Sequence, residues 1–108
     1  MLITHKKERF NVIPFNSTFS HILGLMFKKK INNGGILIFK KENYVAIHTF
    51  FVFYPIDVIY LNKDKIVTCI LRKVKPYNLL PYKKARYILE LKNENKINIG
   101  EKIKFNKI

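Results

Sequence analysis

The sequence predicts an α+β chain that is mostly β: a compact, barrel-like antiparallel or mixed sheet with one short amphipathic helix at about residues 17–27. Three observations predict it. Short apolar runs rich in Ile, Val, Phe and Tyr recur between turn-forming residues. A single segment has apolar residues at helical spacing. The 108 residues, 48% hydrophobic and 14% aromatic, supply one packed core and leave little for a second, so one domain is expected over residues 1–108.

The elements follow in chain order. Arg9 to Phe15 carries Phe10, Val12, Ile13 and Phe15 and reads as a strand, irregular or at an edge because Pro14 has no amide for a ladder. Asn16 or Ser17 can cap the helix, in which Phe19, Ile22, Leu23 and Met26 fall at i, i+3, i+4 and i+7. Lys28, Lys29 and Lys30 end it, where positive charge meets the negative end of the helix dipole. Asn32-Asn33-Gly34-Gly35 reads as a turn, and Ile36 to Phe39 as a buried strand closed by Lys40 and Lys41. Phe50 to Phe53 and Ile56 to Leu61 are two further strands with a bend at Pro55. Asn62-Lys63-Asp64-Lys65 then turns the chain into the alternating Ile66 to Val74, a hairpin pattern. Pro76 and Pro81 bracket an ordered loop anchored by Tyr77, Leu79 and Leu80. Ala85 to Leu91 is a strand with Tyr87, Leu89 and Leu91 on one face, and Lys102 to Phe105 closes the chain with Ile103 and Phe105 inward.

Charge and cysteine content bound the function. The formal net charge is +14, which steers a protein toward polyanions, an acidic partner or nucleic acid. Lysine dominates that charge, however, and only Arg9, Arg72 and Arg86 offer the planar fork that suits phosphate and base recognition. A compositional origin of the basicity is therefore favoured over a dedicated nucleic-acid site. Cys69 is the sole cysteine, which rules out an intrachain disulfide, and its place in an apolar alternation makes it a packed core thiol. The N-terminus, Met1-Leu2-Ile3-Thr4-His5-Lys6-Lys7-Glu8-Arg9, sets charge where a signal peptide needs an apolar stretch. His48, Pro55 and Asp57 interrupt the long apolar run from Tyr44 to Leu61, so no transmembrane segment is expected. The expected location is cytoplasmic.

Several segments in series carry a family resemblance. They are Gly24-Leu25-Met26, Gly35-Ile36-Leu37-Ile38-Phe39, the central run from Ile47-His48-Thr49-Phe50-Phe51 through Ile56-Asp57-Val58, then Lys75-Pro76-Tyr77, and Leu89-Glu90-Leu91 before Gly100-Glu101. In this order and spacing the chain resembles the domain-of-unknown-function 192 family of small prokaryotic proteins over about residues 16–105. Val52, Tyr77 and Lys92-Asn93-Glu94 depart from that family's usual residues. The resemblance implies a compact β-rich, barrel-like domain with a helix packed against it, and it does not imply an activity.

Candidate site residues come from the polar and aromatic groups of the motif-bearing stretches. His48, Thr49 and Asp57 lie in apolar surroundings, where buried polar groups need hydrogen-bond partners. A turn near Pro55 brings His48 and Asp57 toward each other across the sheet, half of a general-base pair, but no patterned nucleophile accompanies them. Tyr54, Tyr77 and Tyr82 stand beside prolines, and with Arg72 and Arg86 they form the expected rim of a groove. His5, His21 and His48 are scattered, so no metal site and no cofactor are expected. The favoured function is a non-catalytic binding or accessory domain with its groove near the His48–Asp57 segment and the Pro76–Pro81 loop. A nucleic-acid-binding small β-barrel is the first alternative, and an enzyme using His48 and Asp57 the second.

Overall fold

The computed structural model describes residues 1–15, 33–46, 55–75, 78–92 and 94–106. These residues form a seven-stranded mixed sheet: β1 (Leu2–His5), β2 (Glu8–Phe15), β3 (Gly34–Val45), β4 (Ile56–Leu61), β5 (Val67–Val74), β6 (Lys83–Leu91) and β7 (Lys104–Asn106). Their order across the sheet is β5-β4-β6-β3-β2-β1-β7. All neighbours are antiparallel except β2 and β3, which run parallel. A parallel pair needs a crossover of a dozen or more residues, and the chain between Phe15 and Asn33 has that length. No helix occurs among the described residues. The helix expected over residues 17–27 and the strand expected at Phe50 to Phe53 lie outside them.

The sheet curls into a half-barrel. Val67 N donates to Glu101 O, Gly100 N to Val67 O, and Ile103 N to Lys65 O, so the start of β5 is tied to the segment leading into β7. Side chains of alternate residues then fill two apolar layers. Ile36, Leu89 and Ile59 are register partners on one face and join Ile3, Phe10, Val12, Leu61, Val67, Leu91, Ile97 and Ile103. Leu37, Ile88 and Tyr60, one step along, face the other way with Ile56, Val58, Leu80 and Ala85. Both faces of β4 and of the C-terminal half of β6 are therefore buried. Each fully buried aliphatic side chain contributes about 1.5–3 kcal/mol.

Pro14 is accommodated by where β1 ends. Val12 N donates to Met1 O and the Met1 amine to Val12 O, so that flank of β2 faces β1. Residues i and i+2 of a strand direct their amides to the same side. The missing amide of Pro14 thus falls just past Met1, where β1 has run out, while Pro14 keeps its place beside Ile36 of β3.

Three boundaries differ from the sequence expectation. Gly34 and Gly35 open β3 instead of closing a turn. A Cβ on Gly34 would lie 1.8 Å from the Glu90 carbonyl oxygen, so the glycine is required by the close approach of β6. Lys40 and Lys41 do not end β3 either. Its register on β6 passes from Ile38↔Tyr87 to Asn43↔Ala85, five steps against two, and this bulge carries both exposed lysines before pairing resumes. The last strand is displaced to Lys104–Asn106, with Lys102 making an isolated bridge to Ile66. The hairpin of β4 and β5 forms as expected, its turn held by Asn62 Oδ1, which accepts from the amides of Asp64 and Ile66. Cys69 is half-buried against the second apolar layer.

Candidate functional site

A carboxylate and a bulge build the site. Between Ile56↔Val74 and Val58↔Leu71 the β4–β5 register slips by one residue, and Lys73 takes a positive φ of 50°. A bulge releases an amide from the ladder and re-aims side chains. The released amide of Lys73 donates to Asp57 Oδ1 at 2.8 Å, and the Arg72 guanidinium turns onto Asp57 Oδ2, with Nη1 at 2.9 Å. Asn95 closes the cluster: its Nδ2 donates to Asp57 Oδ2 at 3.0 Å, and its Oδ1 accepts from Arg72 Nη1 at 2.7 Å and from the Ile97 amide at 3.2 Å. Arg72 Nη2 donates to the Ile97 carbonyl.

An open cleft of about 430 Å³ lies over this cluster, lined by Asp57, Arg72, Glu94, Asn95, Lys96 and Asn98. The Asp57 side chain is 12% exposed and that of Arg72 39%. A guanidinium has five N–H donors. Three hydrogen bonds fix this one from the protein side, which leaves two donors without a partner among the described residues. Both oxygens of Asp57 accept hydrogen bonds, so this carboxylate holds Arg72, the Lys73 amide and Asn95 in place.

The floor segment, residues 94–98, is gripped from its other side by a second cluster. His5 is 2% exposed and lies between two carboxylates, with Nδ1 2.9 Å from Glu8 Oε1 and Nε2 2.7 Å from Glu101 Oε1. Glu8 accepts from the Lys96 amide through both oxygens, at 3.1 and 3.0 Å, and Glu101 Oε1 accepts from the Asn98 amide at 2.7 Å. Lys6 Nζ pairs with Glu101 Oε2 at 2.8 Å. Lys6, the Asn98 amide and His5 together pull the Glu101 carboxyl down to about 2. Ile97, fully buried in the first apolar layer, pins the middle of the segment.

Of the residues nominated from sequence, Asp57 and Arg72 are brought together in this cleft. Tyr82 is 70% exposed and stacks on Tyr44, ring centroids 5.6 Å apart, away from it. Arg86 lies over the Tyr87 ring at 4.8 Å, and its Nη1 is buried with no hydrogen-bond partner among the described residues. His48, Thr49, Tyr54 and Tyr77 lie outside the described residues. Sequence reasoning passed over Asn95, Lys96 and Asn98, which read as a polar tail, and over His5, Glu8 and Glu101. The one local signal was the pair Asn95 and Asn98, whose side chains bond readily to nearby backbone. Among the described residues no group of three or more His, Cys, Asp or Glu side chains is placed to hold a metal ion, and no helix is long and apolar enough to cross a membrane.

Comparison with known proteins places this chain in a family. The sequence model of the DUF192 family, described as Uncharacterized ACR, matches residues 1–105. The chain belongs to the DUF192 family. Curated DUF192-like relatives carry the name UPF0127: one from Pyrococcus horikoshii is 36% identical over 97 residues, covering 83% of this chain and 83% of that protein. Another, from Pyrococcus abyssi, is 32% identical over 75 residues, covering 65% of this chain and 63% of that protein. A crystal structure of a protein of unknown function from Novosphingobium aromaticivorans superposes with a TM-score of 0.72 over 96% of this chain and 82% of that one, at 21% identity. That likeness extends to the fold. The match reaches further toward the N-terminus than the motifs starting at Asn16 suggested, so it takes in β1 and β2.

Proposed function

We propose that this chain is a one-domain, non-catalytic binding module whose ligand site is the Asp57–Arg72–Asn95 cleft. The observation that carries the reading is the half-exposed Arg72 guanidinium, fixed by Asp57, Asn95 and the Ile97 carbonyl with donors left toward the cleft. Such a fork suits a planar oxyanion, and the exposed Asn98 side chain at the same rim suits an amide. The ligand class is thus a small carboxylate that also carries an amide, such as the end of a peptide. The engagement of both Asp57 oxygens argues against general-base work at this residue. A helix over residues 17–27 and a cytoplasmic location belong to the same proposal and rest on sequence pattern alone.

Titration with N-acetylglycine, followed by amide chemical shifts, tests it. Saturable shifts centred on Lys73, Asn95 and Asn98, abolished in Arg72→Lys, are the expected result. Shifts spread evenly over the molecule would overturn the site, and turnover of any substrate lost on Asp57→Asn would overturn the non-catalytic reading.

A further inference from the structure

A second surface, remote from the cleft in its chemistry, gathers basic side chains from adjoining strands in depressions that no carboxylate lines. Ile3, Phe10 and Phe105 point from β1, β2 and β7 into the first apolar layer, so the alternate residues of these strands form the opposite face. Register places Arg9, Thr4 and Lys104 in one row across the three strands, and Asn11, Leu2 and Asn106 in the next. The β1–β2 turn adds Lys6 and Lys7. A depression of about 570 Å³ is lined by Thr4, Lys6, Lys7, Arg9, Lys104 and Asn106, with Leu2 at its base. A neighbouring one of about 410 Å³ shares Lys104 and adds Lys65 and Lys102.

No carboxylate lines either depression. The acidic residues nearest in sequence are engaged elsewhere, Glu8 and Glu101 with His5 and the backbone of residues 96 and 98. Lys6 alone of this group is ion-paired, to Glu101, whereas Lys7, Arg9 and Lys104 have no ion pair among the described residues. By contrast Lys84 is paired with Glu42 and Arg72 with Asp57.

We propose that this face of β7, β1 and β2 docks the phosphodiester backbone of nucleic acid without reading its sequence. Arg9 and Lys104 stand two strands apart, about 10 Å, so they engage separate phosphates of one chain and not a single phosphate. Thr4 and Asn106, whose side chains lie 3.4 Å from each other, supply neutral donors of the kind that accompany Lys and Arg on phosphates. A bilayer surface fits less well, since membrane docking needs exposed apolar groups beside the cations. Leu2 is half-buried, and the large exposed apolar side chains, Tyr44, Leu79, Tyr82 and Ile99, line neither depression.

The test is fluorescence anisotropy with a labelled mixed-sequence single-stranded DNA of about 16 nucleotides, in salt from about 50 to 200 mM. The parent protein binds, and Arg9→Ser with Lys104→Ser weakens binding about tenfold or more at low salt while lowering the slope of log K against log salt by about two. Lys40→Ser with Lys41→Ser removes the same charge from the β3 bulge and changes affinity less than about twofold. Circular dichroism checks that both variants, altered only at exposed positions, stay folded. No binding by the parent protein, equal losses in the two variants, or binding to phosphatidylserine vesicles without binding to the oligonucleotide would each overturn the proposal.

Discussion

The two clusters that grip residues 94–98 use opposite chemistry for the same mechanical task. On the β4–β5 side one carboxylate, Asp57, is met by a permanently charged guanidinium and two amide donors. On the β1–β2 side two carboxylates, Glu8 and Glu101, are bridged by His5 and capped by Lys6 and backbone amides. The first cluster, beside an open cleft, leaves two Arg72 donors without a partner among the described residues, whereas the buried His5 ring has both nitrogens occupied. Under the proposed function the difference separates a surface that receives a ligand from a clamp that holds the chain, although both are dense in polar groups.

Breaking the Asp57 side has the largest expected effect. Asp57→Ala strands the Lys73 amide and the Arg72 guanidinium, and a lost buried pair costs about 3–5 kcal/mol. The partial exposure of Arg72 reduces this to about 2–3 kcal/mol, read as a shift of the urea midpoint. His5→Ala follows, at about 1–2 kcal/mol, because it leaves Glu8 and Glu101 facing each other across a cavity. Arg72→Lys keeps the charge but loses the fork and costs about 1 kcal/mol by the same measurement, while ligand binding is lost.

The acid limb of stability sharpens the contrast without a change in fold. Glu101 has its folded carboxyl lowered from 4.5 to about 2, so it contributes stability that is present above pH 4.5 and is lost as pH falls through about 2. The stability difference between the parent and Glu101→Gln is therefore full at neutral pH and closes across that window, measured by urea unfolding at a series of pH values. Tyr60 gives the alkaline counterpart on the other apolar face. Burial, with Cys69 and Glu90 adding to it, pushes its hydroxyl from 10.0 up to about 12. Its contribution is intact below pH 10 and is lost as pH rises through about 12, a loss that Tyr60→Phe removes.

What the sequence made legible was mostly local. The β4–β5 hairpin followed from Asn62-Lys63-Asp64-Lys65 between two apolar runs, and the special position of Pro14 from its missing amide. Strand β1 was not read, because four residues with alternate burial were overshadowed by the charges beside them. The length of β3 was hidden by a bulge, and the role of Gly34 by a neighbour, Glu90, far away in sequence. At the site, Asp57 stood out as a polar residue in an apolar run and Arg72 as one of few arginines. Asn95 and the His5 clamp did not, since Asn95 meets Arg72 and Asp57, and His5 meets Glu101, across 23 to 96 residues of sequence. Residue type announces a buried charge, but only the curled sheet says which charge it meets.

The most direct test of the central claim is the amide-shift titration with N-acetylglycine in the parent protein and in Arg72→Lys. A saturable response confined to Lys73, Asn95 and Asn98, present in the parent and absent in the variant, is what the cleft geometry predicts. An identical response in the two proteins, or one centred on His5 and Glu101, would contradict it.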